Sequence, residues 1–188
     1  DTSDEEDVSF GIQLGCEGVI QVLFEPIETD TGGKTLELLR EAISDRNTKI
    51  LITFFDLQNK NSAQQGTCLL IREKAVFGEL NLFPDLQARI QEDAYVVRGN
   101  GQSLFKEYTV SDGSITAFFE WLEPPVSLVV VGAGNDAIPL VRMADVLGWD
   151  TRVVDGRSTH AKTERFASAC QILVSKPEKV LEHISIDA

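Results

Sequence analysis

One stretch limits the possible folds more than any other. Residues 126–131 (VSLVVV) form a nearly continuous apolar run, the pattern of a strand covered on both faces, and Gly132-Ala133-Gly134-Asn135-Asp136-Ala137 follows at once. The next eleven residues, 137–147, carry Leu140, Val141, Ala144 and Leu147 on one helical stripe, and Gly148 ends them. A second strand is expected over 150–154 and closes on Asp155, 23 positions beyond Gly132. Strand, tight glycine turn, helix, strand and terminal acid together predict a Rossmann-type, doubly wound unit. Gly132 permits the turn, Gly134 lets backbone N–H groups approach a phosphate, and Ala137 is small enough for helix to pack on strand. Asp155 would accept from a ribose 2′-hydroxyl and repel a 2′-phosphate, which favours NAD over NADP. Asp136 suits a helix N-terminus but opposes a pyrophosphate if it points inward. A third apolar run over 172–174 and a helix over 177–183 bring the pattern to about half of a doubly wound fold, incomplete as it stands.

Residues 1–125 read differently. Pro124-Pro125 acts as a stiff linker, because neither residue can donate to a ladder. Before it come short β runs at 10–14, 19–24, 49–56, 67–71, 95–98, 103–110 and 115–122, separated by turn clusters that include Gly99-Asn100-Gly101. Helices are expected at 35–43, with Leu36, Leu39 and Ile43 on one face, and at 84–92, with Leu86 and Ile90 one turn apart. The expected architecture is an α+β, mainly antiparallel N-terminal unit (1–125) followed by the α/β Rossmann-type C-terminal unit (126–188).

Charge and composition exclude several classes. The chain holds 17 Lys and Arg against 30 Asp and Glu, a net −13, so nucleic-acid binding without a basic partner is disfavoured. The excess is uneven: residues 1–125 carry 22 acids and 10 bases, residues 126–188 carry 8 and 7, and the first 30 residues have nine acids with no Lys or Arg. No apolar run approaches the ~18 residues that a membrane helix needs. The chain opens on Asp1 and its single methionine is Met143, so a piece of a longer protein, truncated at both ends, is expected.

Cys68 and Cys170 sit in apolar contexts and read as small buried hydrophobes of a reducing cytoplasm, and three widely spaced cysteines argue against a disulfide framework. Cys16 stands between glycines in the turn Gly15-Cys16-Glu17-Gly18, where its thiol is either presented to a ligand or tucked beneath a hairpin. Gly32-Gly33-Lys34-Thr35 imitates the end of a P-loop, but Glu28 replaces the first glycine and Asp30 lies nearby, so a loop leading into a capped helix is the better reading. His160 and His183 have no metal-ligand spacing, and no catalytic constellation is evident.

Residues 10–26 (FGIQLGCEGVIQVLFEP), 129–141 (VVVGAGNDAIPLV) and Val153-Val154-Asp155-Gly156-Arg157 resemble the XdhC/CoxI family of xanthine dehydrogenase accessory factors. The resemblance covers most of the chain. It implies a maturation factor rather than an enzyme. Such a factor binds the molybdenum cofactor (molybdopterin), supports its sulfuration by a cysteine desulfurase, and inserts it into a molybdenum hydroxylase of the xanthine dehydrogenase type. Carried onto this sequence, Gly15, Cys16 and Gly18 become a cofactor-contacting turn, and Gly132, Gly134 and Asn135 the loop that meets a phosphate. Two further readings stay open: an NAD-dependent oxidoreductase using the Gly132 loop and Asp155, and an acidic protein-interaction module. Self-association as a homodimer stays open too.

Overall fold

The computed structural model describes residues 22–25, 32–80, 84–111 and 113–184. The chain divides into two compact units between Leu122 and Glu123.

In the first unit, helix α1 (Gly32–Ala42) precedes strands β1 (Lys49–Phe55), β2 (Gly66–Arg72) and β3 (Ala75–Gly78). Helix α2 (Gln87–Asn100) follows, then β4 (Leu104–Val110) and β5 (Gly113–Leu122). The strands form one antiparallel sheet in the order β3-β2-β1-β5-β4. Strand alternation sends Ile50, Ile52 and Phe54 to one face, where they meet Phe119, Tyr108 and the α2 stripe Ile90, Ala94 and Val97. Leu51 and Leu70 point to the other face and are covered by Leu38 of α1. Lys49 has a fully buried side chain, yet its ammonium is satisfied: it donates to the Ala42 and Asp45 carbonyls at 3.1 and 3.2 Å and to the Asp45 carboxylate at 2.6 Å. It thereby closes the C-terminal end of α1.

Several sequence expectations change. The run at 95–98 is helical rather than a strand. Ile90, Ala94 and Val97 form an i, i+4, i+7 stripe against the sheet, which overrides the β preference of Tyr-Val-Val. Gly99-Asn100-Gly101 is accordingly a helix end: Gly101 takes φ +62° and donates its N–H to the Val97 carbonyl at 2.9 Å. Strand β3, only four residues long, carries no periodic signal. Residues 22–25 have no regular structure, and the expected run at 10–14 lies outside the described residues.

The second unit is a parallel sheet of β6 (Ser127–Val131), β7 (Asp150–Asp155) and β8 (Gln171–Val174), in that order, with α3 (Ala137–Val146) connecting the first two. Mixed architecture and Rossmann-type patterning therefore stand as expected. Of the anticipated α3 stripe, Val141 and Ala144 are buried but Leu140 and Leu147 are exposed, because the helix rolls Ala137, rather than a leucine, onto the sheet. Residues 177–182 form a 3-10 helix, not an α-helix.

Candidate functional site

Ligands of open α/β sheets bind beyond the carboxyl ends of the strands, and here those ends carry the Gly132 loop, the Asp155-Gly156-Arg157 turn and Ser175-Lys176. Gly132 takes φ +113°, a conformation that favours glycine, and its N–H donates to the Val154 carbonyl at 2.7 Å, holding the end of β6 against β7. Ala133, fully buried, donates its N–H to Asp155 Oδ2 at 2.8 Å. The remaining capacity of that carboxylate goes to Arg157. The backbone N–H and Nε of Arg157 donate to Oδ1 at 2.8 and 2.9 Å, and its Nη2 donates to Oδ2 at 2.8 Å.

The electrostatics follow. The Arg157 guanidinium, joined by the Ala133 and Arg157 N–H groups, holds the Asp155 carboxyl well below the usual carboxylate range, and the same pairing raises Arg157. Near neutral pH Asp155 is a charged brace beneath the loop.

Arg165 supplies a second brace. Its Nη1 donates to the carbonyls of Ala133 at 2.7 Å and His160 at 2.8 Å, and its Nη2 donates to Asn135 Oδ1 at 2.8 Å. The Asn135 side chain is thus turned toward Arg165. Asp136 has no side-chain cap bond at the start of α3, and its carboxylate folds over Gly134, where an added Cβ would stand 2.3 Å from Asp136 Oδ1. Gly134 is required here by its neighbour's side chain, not by its own φ.

Gly132, Gly134, Asn135 and Asp155 are therefore brought together. Gly15, Cys16 and Gly18 lie outside the described residues. The described end of that motif is Glu25, whose carboxylate accepts from the Thr67 N–H at 2.9 Å and the Thr67 hydroxyl at 2.7 Å. It docks where β2 bulges: Ile52 faces Leu69 and Thr53 faces Thr67, which leaves Cys68 without a partner across the pair. Lys34 of the P-loop imitation is engaged in an ion pair with Glu79. Arg165 escapes sequence reasoning altogether. An arginine in an irregular loop 30 residues from its target gives no periodic or motif signal. Arg157 lies in the strand-end motif, but nothing in the sequence gives it a role there.

Strand order, glycine turn and brace define the class: a Rossmann-type domain with its strand-end acid bound internally. Residues 128–186 match the family model described as the XdhC Rossmann domain. Over 181 residues, 96% of this chain and 49% of the relative, the sequence is 26% identical to a probable xanthine dehydrogenase subunit of Bacillus subtilis (strain 168). The crystal structure of a xanthine dehydrogenase from Bacillus halodurans shares the fold. Its TM-score is 0.54 at 19% identity, over 87% of this chain and 44% of that one. The family-model match is confined to the second unit, and the chain spans about half the length of the curated relative it matches.

Proposed function

We propose that this chain is the cofactor-handling part of an accessory factor for a xanthine dehydrogenase-type molybdenum hydroxylase. In this reading it holds molybdopterin during sulfuration and insertion, and a cysteine desulfurase and the apo-hydroxylase are its partners. The single observation that carries the reading is the Gly132 loop of an XdhC Rossmann domain, braced from below by Asp155 and from the side by Arg165.

The donor set suits the phosphate of a pterin cofactor. The N–H groups of Gly134 and Asn135 donate to no acceptor among the described residues, and both stand at the N-terminal end of α3. Arg157 has a 59% exposed side chain, so its guanidinium can face a bound anion while pairing with Asp155. Asp136 must turn away from Gly134 for a phosphate to enter. When bound, the cofactor supplies the molybdenum centre and its ligand sulfurs, and in this reading Cys16 is a further candidate contact.

The dinucleotide alternative is less well supported. Its ribose would need Asp155, whose two oxygens already accept four hydrogen bonds from Ala133 and Arg157.

The test is the pterin content of the protein isolated from molybdenum-replete cells, read by fluorescence after oxidative release. Wild type should carry pterin, and Cys16→Ala and Arg157→Ala should each lower its retention several-fold. Pterin-free wild type, or equal retention by both variants, would remove the reading. Saturable NAD binding with turnover, followed at Trp149, would replace it with the oxidoreductase.

A further inference from the structure

The Gly132 loop offers donors almost throughout. Beside the N–H groups of Gly134 and Asn135, Arg165 creates another one indirectly. A guanidinium can only donate, so its 2.8 Å contact fixes Asn135 Oδ1 toward Arg165 and leaves the amide nitrogen of this exposed residue to point elsewhere. Arg157 adds its charge: Nη2 of Arg157 and the Ala133 N–H both lie 2.8 Å from Asp155 Oδ2, which sets the guanidinium beside the loop.

One group breaks the pattern. Asp136 follows directly on these donors and is exposed, makes no side-chain cap bond to α3, and has no hydrogen bond or ion pair among the described residues. Its carboxylate lies against Gly134, where an added Cβ would stand 2.3 Å from Oδ1. Asp155 has its oxygens committed to Ala133 and Arg157, whereas those of Asp136 are free to accept. An aspartate side chain is short, so turning it off Gly134 leaves the carboxylate at the mouth of the loop.

Donors with one free carboxylate beside them select by protonation. An oxyanion without a proton finds the donors but also meets a like charge with nothing between them. An oxyanion with a proton donates it to the carboxylate and accepts from the N–H groups. Sulfate, phosphodiesters and the pyrophosphate bridge of a dinucleotide carry no proton near neutral pH. A terminal phosphomonoester can, because its second ionisation falls near pH ~6 and a carboxylate alongside helps to retain that proton.

We propose that Asp136 is a specificity-determining residue: the loop takes a terminal phosphomonoester that shares one proton with the Asp136 carboxylate, and rejects sulfate, phosphodiesters and dinucleotide pyrophosphates. The inference rests on reading the Gly132 loop as the phosphate position, and it names the form of phosphate that this position takes.

Titration of the intact chain at pH 7 with inorganic phosphate, phenyl phosphate, dimethyl phosphate and sulfate, followed by NMR at the Gly134 and Asn135 amides, tests it. Wild type should bind the first two at least about tenfold more tightly than the last two. Asp136→Asn removes the charge at an exposed position that caps nothing, so the fold is kept. It should tighten sulfate and bring the ratio to within about threefold, and Asp136→Ala should do the same. Arg157→Ala should weaken all four anions and leave the ratio standing. Equal binding of phosphate and sulfate by wild type, or a ratio unchanged in both Asp136 variants, would overturn the selectivity while the loop remained a phosphate site. Amides that no anion shifts would overturn the loop reading itself, and this inference with it.

Discussion

Phe54, Phe119, Tyr108, Ile50, Ile52 and Leu69 fill the interior of the antiparallel unit, whereas the largest cluster of the parallel unit is Ala133, Ala137, Val141, Val153 and Phe166. The difference follows from topology. A helix that must leave a tight glycine turn and lie at once on the strand it came from has room only for small side chains at its start. The parallel unit therefore buries less apolar surface, and Met143, Val146 and Leu147 of its helix region stay exposed at 60%, 86% and 62%. It compensates with directed polar contacts: two arginines and one aspartate fix the loop that an apolar core would otherwise hold. One unit is stabilised by volume, the other by geometry.

The contrast can be broken by substitution. Phe119→Ala should destabilise the first unit by about 4 kcal/mol, through lost transfer energy and a cavity at a fully buried site, read by hydrogen exchange of β1 and β5 amides. A loss below about 1.5 kcal/mol would mean that the interior collapses readily and is not held by volume. Arg165→Ala should cost the second unit about 2 kcal/mol, because it strips donors from two backbone carbonyls and from Asn135. If that variant unfolds like wild type, the polar brace is ornamental. Gly132→Ala should cost about 1.5 kcal/mol from backbone conformation alone, since an added Cβ meets nothing within 4 Å while φ is +113°.

These two kinds of stabilisation also explain what the sequence reveals. Strands β1, β2, β5 and β6 are legible because burial imposes its period directly on residues such as Ile50, Ile52 and Phe54. The glycine loop is legible because its residue types are forced by backbone conformation at Gly132 and by crowding at Gly134. The end of α2 is not. Tyr95, Val96 and Val97 favour strands locally, and only the sheet beneath Val97 makes them helical. Arg165 is invisible for the opposite reason: its partners are backbone carbonyls, which any residue type supplies.

Acid separates the units further. The folded-state pKa of Asp155 is lowered, so its contribution is complete above the unfolded carboxylate value near ~4 and fades as pH falls through the folded value. Asp155→Asn should therefore flatten the acid limb of unfolding at β6 and β7 amides while leaving that of β1 and β2 intact. Those strands answer to Asp45, which Lys49 lowers in the first unit. A parallel change in both units would mean that the brace is not local.

The smallest effect concerns the two described thiols, one in each unit. Cys68 is buried at the β2 bulge, and burial, reinforced by the carboxylates of Glu25 and Glu79, pushes its thiol up to about 12. Near pH 8 only about one molecule in ten thousand then carries the thiolate, the form that reacts with alkylating agents. Cys170 is exposed at the start of the β8 region. Iodoacetamide with peptide mapping should modify Cys170 within minutes and leave Cys68 untouched until the sheet opens. Because Glu25 contributes to the shift, Glu25→Gln should speed modification of Cys68 by no more than a few-fold, with burial still dominant. Comparable rates at Cys68 and Cys170 in the native protein would show that the bulge admits solvent, and that the first unit is less tightly packed at Cys68 than its large side chains imply.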